Sequence, residues 1–380
     1  MFSIKRKLNN LIGKKIGYHE SDPALVAVIF IIIAFGLISL SSASSVMAYS
    51  RFGDAYHYFK NQLFGLSLGL VAFWIFSRAD YRIWKNYAFH FLLFSIFLLL
   101  LVFIPGLSAN WGEARSWINI FGYSLQPSEI VKLSFLLYLA AWLEKRKKDL
   151  GDISQGIGPF MAVLGFVGFL MILQPDIGTL SIIAITSLVV YFIGGGHVKH
   201  IILIVLIGII GFSIMIQFKP YQLNRFKCMM DPDFSRDDIC YQTNQSLIAV
   251  GSGGILGRGL GASRQKFMYL PEVSGDAIFA IIAEEVGLIF SSFLVLCFGF
   301  LFYRGFQIAK HAPDDFGQNL AIGIVSWLTL QAIINISGMI NIMPMTGVPL
   351  PLVSYGGSSV LAALSALGVL VNISKQTKVR

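Results

Sequence analysis

The chain has 380 residues, of which 56% are hydrophobic and only 13% charged, and its mean hydropathy is +0.71. Soluble globular domains carry about a quarter charged residues, so the composition excludes a soluble enzyme and indicates one integral membrane domain, with no polar block large enough for a second. The net charge of +9 fits orientation in a bilayer and contact with anionic lipid or pyrophosphate, not nucleic acid.

A membrane-spanning helix needs about 20 mostly apolar residues. The N-terminal Lys5-Arg6-Lys7, Lys14 and Lys15, followed by an apolar run from Ala24, imitate a signal peptide. Nine further apolar runs follow, so an uncleaved first span is expected. Spans are expected at 24–48, 60–77, 86–105, 128–143, 157–174, 177–195, 199–217, 276–303, 317–343 and 355–373. The chain thus reads as an all-α polytopic membrane protein of about ten transmembrane helices.

The basic residues orient it. With residues 1–23 as a cytoplasmic tail, the inner segments collect Arg78, Arg82 and Lys85, then Lys145 to Lys148, Lys199, Arg304, Lys310, Lys375, Lys378 and Arg380. The short outer loops hold only Arg51, Lys60 and Arg115. Both termini are then cytoplasmic. A large extracytoplasmic loop, 218–275, falls between the seventh and eighth spans, and a second long outer loop covers 106–127. Cys228 and Cys240 lie in the larger loop and can pair if it is outside the cell, whereas Cys297 sits in an apolar run. No CxxC-type metal spacing is present.

Ionisable groups within or beside spans are costly and mark candidate sites. Gln126-Pro127-Ser128-Glu129 precedes Lys132 on one helix face. The arrangement reads either as a capped helix with an internal ion pair or as a Lys aimed into a polar cavity. Gln174-Pro175-Asp176 joins two apolar runs, and Asp176 is a cap or a ligand. Leu247–Leu260 is too short and glycine-rich to span, which suits a re-entrant segment. Gly257-Arg258-Gly259-Leu260-Gly261-Ala262 imitates a dinucleotide fingerprint without the βαβ unit it requires. Arg258, Arg264 and Lys266 there are a solvated basic loop or phosphate ligands. Asp276 follows Leu270-Pro271-Glu272 and starts a long apolar helix carrying Glu284 and Glu285; a helix cap is the bland reading. Residues 344–359, with three prolines and several glycines and serines, read as a bent loop entering a cavity.

Taken together, QPSE with Lys132, QPDIGT, YQ…QSLIAVGSGG, GRGLGASRQK, YLPE…D and PLPLVSYGGSS resemble the SEDS family (FtsW, RodA and SpoVE) in order and spacing over nearly the whole chain. The details look more like the FtsW branch than RodA. Ser274-Gly275-Asp276-Ala277 replaces a His-Thr-Asp-Phe-like run, and Glu113-Ala114-Arg115-Ser116-Trp117 keeps the family's Arg and Trp.

The resemblance implies a peptidoglycan glycosyltransferase that polymerises lipid II in the bacterial cytoplasmic membrane, at the division septum. Its partners would be a class B penicillin-binding transpeptidase and other divisome proteins. Asp276 matches the family's essential acid and is the expected general base. Lys132, Arg115, Arg258 and Arg264 are candidates for holding pyrophosphate. Gln265, Glu272, Ser354 and Ser358 are further substrate-binding candidates, with Glu129, Asp176 and Glu285 in support. A divalent cation, Mg2+ or Mn2+, suits the chemistry, but no ligands are assigned. The rival readings are a lipid II flippase, which needs polar groups from face to face, and a RodA-like elongation polymerase.

Overall fold

The computed structural model describes residues 20–104, 108–111, 114–120, 123–218, 220–236 and 238–377. Most of the expected N-terminal tail, and Glu113, lie outside the described residues.

All ten apolar segments are helical. They are α1 (Pro23–Phe52), α2 (His57–Arg78), α3 (Tyr81–Leu101), α4 (Pro127–Arg146), α5 (Gly158–Leu173), α6 (Ile177–Ile193), α7 (Val198–Phe218), α10 (Ile278–Lys310), α11 (Asp315–Met339) and α12 (Gly357–Ser374). The large loop adds two short helices, α8 (Pro220–Met230) and α9 (Tyr241–Gly253). Seven helices among the described residues are long and apolar enough to cross a membrane, while Ile177–Ile193 and Val198–Ser213 are shorter apolar stretches. Helix α4 is not among them, because Glu129, Lys132, Glu144, Lys145 and Arg146 dilute its apolar character. This is a multi-pass membrane protein.

Local chemistry sets the helix ends. In α1, Asp22 caps the Leu25 N–H at 3.0 Å and Pro23 opens the first turn. Gly53 closes it with φ 71°, a left-handed conformation that suits glycine. In α4, Pro127 and Glu129 occupy the positive end and Lys145 and Arg146 the negative one.

The second long loop departs from the all-helical expectation. Ser108–Trp111 (β1), Ala114–Ile120 (β2) and Tyr123–Leu125 (β3) form a small antiparallel sheet in the order β1-β2-β3. Its β-branched and aromatic residues favour strands, as in Ile120 opposite Tyr123.

Helices α11 and α12 are central and α2 peripheral: 89% of the most apolar stretch of α12 is buried, against 22% for α2. The outward faces of α2 and α7 carry Leu68, Val71, Trp74, Ile202, Leu206 and Ile209, all exposed. In lipid this is the surface that meets acyl chains.

One end of the bundle is tied by ion pairs. Arg304 pairs with Asp22, Arg82 with Asp314, Lys85 with Glu144, and Lys147 with Asp315. These join the start of α1, the start of α3, the end of α4, the last turns of α10 and the start of α11. The opposite end gathers the sheet, α8, α9, the 254–277 loop and the 340–356 loop.

Candidate active site

At that opposite end, α10 does not run straight. Gly287 breaks it with φ 73° and ψ −173°. Residues 277–285 before the break are buried in protein, and lipid-type exposure begins only at Leu288 and Ile289. Helix α10 takes up the expected span 276–303 from Ile278 and extends it to Lys310, with its first two turns packed inside the protein. The break lets two backbones meet. A Cβ at Gly257 would stand 2.2 Å from Glu285 O, and one at Gly287 would stand 2.2 Å from Gly257 N. Gly257 also has φ +80°, so no side chain fits there.

The buried stub of α10 needs partners for its two acids, and the 254–266 loop supplies them. Glu284 accepts from Ser263 Oγ at 2.6 Å, from Arg264 N at 2.9 Å and from Gln265 N at 3.3 Å. Glu285 accepts from Ser42 Oγ at 2.7 Å and from Lys266 Nζ at 2.9 Å. The GRGLGASRQK stretch is thus wound around a carboxylate pair. Lys266 is buried in that pairing, and Arg258 Nε lies 3.8 Å from Glu284 Oε1. Arg264 lends its N–H to Glu284 but is itself exposed. Gln265 is buried, and its Oε1 has no protein donor.

Asp276 lies in the turn just before α10, with the opposite surroundings. It is half-buried, and its Oδ1 is a buried acceptor to which the protein supplies no donor. Its backbone is fixed instead. Asn335 Nδ2 on α11 donates to both Asp276 O and Val348 O at 2.8 Å. Tyr355 N donates to Ser274 O at 2.8 Å. The second carboxylate oxygen faces Gly347, where a Cβ would stand 3.9 Å away. Burial, then repulsion from Glu272, pushes the Asp276 carboxyl up to about 6, while Arg225 and the N–H groups of Asp276 and Ala277 pull against the shift. Glu272 itself is exposed.

The bent loop is held to the bundle by amides. Gln62 Nε2 donates to Ser354 O at 3.1 Å, and Gln62 Oε1 accepts from Gly356 N at 3.1 Å. Ser354 Oγ accepts from Leu350 N, which locks the turn. Ser358 Oγ accepts from Gln126 N at 3.3 Å, joining this loop to the start of α4.

The remaining candidates lie farther from Asp276 or have protein partners of their own. Lys132 is buried and donates to Glu129 Oε1 and Gln331 Oε1, both at 2.8 Å, beneath the Trp327 ring. Its reach to the site is indirect, since Gln331 Nε2 donates to Pro349 O at 2.8 Å. Asp176 caps Thr179 N at 3.2 Å and accepts from Ser128 Oγ at 2.8 Å. Arg115 stands in β2, with its side chain outside the described residues. Among the described residues, no group of three or more His, Cys, Asp or Glu could hold a metal ion. Among the described residues, Glu272 is the second carboxylate acting on Asp276, and a Mg2+ ion held by one or two carboxylates takes its remaining ligands from water and substrate phosphates.

A sequence profile described as "Cell cycle protein" (FTSW_RODA_SPOVE) matches residues 23–379. The chain belongs to this family. It is 38% identical to stage V sporulation protein E of Bacillus subtilis over 94% of this chain and 98% of that one. It is 34% identical to a probable peptidoglycan glycosyltransferase FtsW of Geobacter sp. (strain M18), over 94% and 97%. Among solved structures, a chain from a peptidoglycan synthase complex that coordinates polymerization and crosslinking superposes with TM-score 0.76 at 26% identity, covering 94% of this chain and 98% of that one. The rod shape determining protein RodA of Thermus thermophilus gives 0.70 at 25%, covering 96% and 99%.

Sequence reasoning passed over Arg225, Gln331 and Asn335. The two amides left a signal: they are four residues apart in an apolar run and so share one helix face. Arg225 left none beyond being one charge among several in a long loop.

Proposed function

We propose that this protein is a peptidoglycan glycosyltransferase of the bacterial cytoplasmic membrane, polymerising lipid II (an undecaprenyl-pyrophosphate-linked disaccharide peptide) with Asp276 as general base. The carrying observation is Asp276 itself: a carboxylate with its backbone clamped, its Oδ1 buried and undonated, and its acidity weakened to about 6. A general base works best with a pKa near ambient pH and a free acceptor within hydrogen-bond reach of the proton it takes. Asp276 Oδ1 accepts the proton of the acceptor sugar hydroxyl. The hydroxyl oxygen then bonds to the donor's anomeric carbon, the bond from that carbon to the pyrophosphate oxygen breaks, and the lipid pyrophosphate leaves. One base suffices for such an inverting step. The exposed Arg258 and Arg264 are the cations available to the leaving group. No step is routed through a divalent cation.

The Cys228–Cys240 disulfide supports placing this end outside the cytoplasm, because disulfides persist in oxidising compartments. The ion-paired, Lys- and Arg-rich end then faces inward, with both termini. The similarity to a chain from a complex that coordinates polymerization and crosslinking supports a class B penicillin-binding protein as the crosslinking partner. The FtsW and SpoVE relatives favour septal synthesis over elongation.

The test uses purified Asp276→Asn protein with labelled lipid II and the partner transpeptidase. Loss of glycan polymer at normal protein levels is expected. Undiminished polymer removes Asp276 as the base. A parallel flipping assay in proteoliposomes separates polymerisation from transport.

A further inference from the structure

One cation at the site has no place in the mechanism so far. Arg225 lies on α8, far in sequence from every element of the Asp276 cradle. Its Nη1 donates to Met345 O at 2.6 Å, two residues before the Gly347 that abuts the Asp276 carboxylate. A second bond fastens α8 to the same loop, from Asn341 Nδ2 to Met229 O at 3.2 Å. Helix α9 reaches the loop as well, with Thr243 Oγ1 on Met345 Sδ at 3.8 Å.

The Cys228–Cys240 disulfide closes this circle. Cys228 follows Arg225 by three residues, on the same face of α8. Cys240 is the residue before α9. The bridge therefore fixes the helix carrying Arg225 to the helix that packs on Met345, and both of its cysteines are buried. Asn244 Nδ2, donating to Pro232 O at 2.8 Å, spans the same gap.

We propose that Arg225 is a positioning residue for polymerisation, anchoring the 340–356 loop and steering the Asp276 carboxylate, and that the Cys228–Cys240 disulfide holds Arg225 in register. This rests on the reading of Asp276 as the base. The charged groups facing Asp276 are Glu272 from its own turn and Arg225 from α8. The 344–356 loop contains no Asp, Glu, Lys, Arg or His, and α11 meets the site with the neutral Asn335 amide. Glu272 and burial disfavour the carboxylate form, and Arg225 favours it. Withdrawing Arg225 therefore moves the acid limb of activity toward higher pH.

The experiment measures kcat/KM for lipid II polymerisation against pH. It compares wild type, Arg225→Gln, Arg225→Lys and the double variant Cys228→Ser/Cys240→Ser, all as full-length protein in detergent with the transpeptidase partner. Arg225→Gln should raise the midpoint of the acid limb by about one pH unit, and Arg225→Lys should keep it near the wild-type value. The double serine variant should shift it in the same direction as Arg225→Gln, without any change of charge at residue 225. A wild-type acid limb in Arg225→Gln overturns the role of Arg225. A wild-type limb and rate in the double serine variant overturn the role of the disulfide, and that variant also tests Arg225 placement if Arg225→Gln does not fold. Asp276→Asn runs alongside: polymer from that variant refutes the base itself, whereas an inactive Asp276→Asn with an unshifted Arg225→Gln refutes only this inference.

Discussion

Asp276 and the Glu284–Glu285 pair belong to one short segment, two turns apart, and their surroundings could hardly differ more. Glu284 and Glu285 are almost fully buried and receive a hydroxyl, backbone N–H groups and the Lys266 ammonium. Asp276 is half-buried, has an undonated oxygen, and sits beside a like charge at Glu272. Satisfied carboxylates hold a fold together; an unsatisfied one whose backbone is clamped is prepared to accept something from outside the chain. From sequence spacing alone the three acids look equivalent, so hydrogen-bond supply, more than position, separates anchor from candidate catalyst.

The comparison breaks most sharply at Asp276. Asp276→Asn should lower polymerisation by about 10²–10⁴-fold, the usual contribution of a general base, while leaving the thermal unfolding midpoint in detergent essentially unchanged, because no protein bond to Oδ1 is lost. An equal loss of stability would place Asp276 with the anchors.

The pH dependence is the next largest effect. With the Asp276 carboxyl at about 6, kcat/KM should fall about tenfold per pH unit below that value as the base protonates. The stability sign is opposite. The folded pKa lies above the unfolded one, so the native state holds the proton more tightly, and this group's contribution to stability declines as pH rises from about 4 through 6. An activity profile flat from pH 5 to 8 would contradict the assignment.

On the anchor side, Lys266→Met strands Glu285 in the interior. Breaking a buried pair costs about 3–5 kcal/mol, so unfolding should occur at clearly lower temperature, with activity lost through misplacement of the 254–266 loop. Gly287→Ala attacks the same anchor through the backbone. Its Cβ would meet Gly257 N at 2.2 Å and Ile255 O at 2.6 Å, and forcing alanine into that conformation costs about 1–3 kcal/mol. The smallest effect belongs to the other end of the bundle. The Lys147–Asp315 pair is largely exposed, and Lys147→Ala should change stability by about 0–1 kcal/mol, with polymerisation unaffected.

Much of the fold could be read from hydropathy, because lipid imposes one simple demand: long apolar helices. The ten segments are therefore helices, with most ends within five residues of those expected and α10 running seven residues further. Interior irregularity was harder to see. The 108–125 sheet lies in a stretch read only as a loop, and the Gly287 break is invisible to an apolar average that runs through it. The motifs pointed to Asp276, Gln265, Ser354 and Ser358, and the fold gathers all four at one end of the bundle. Of the cations the motifs offered to phosphate, Lys132 and Lys266 are buried against carboxylates, while Arg258 stays exposed beside Glu284. A charge beside its own counter-charge cannot be distinguished in sequence from one awaiting a substrate. Arg225 was missed for the converse reason: its partners, Met345 and Asp276, are more than fifty residues away, and no local pattern encodes such a meeting.

That distance has a consequence for how the protein comes into being. The cradle of Asp276 needs Arg225, Asn335 and the loop through Tyr355, which is made about eighty residues after Asp276 itself. Synthesis runs from the N-terminus, so a nascent chain carries Asp276 well before the loop that orients it. A chain made only as far as α10 therefore holds the carboxylate without the contacts that fix it.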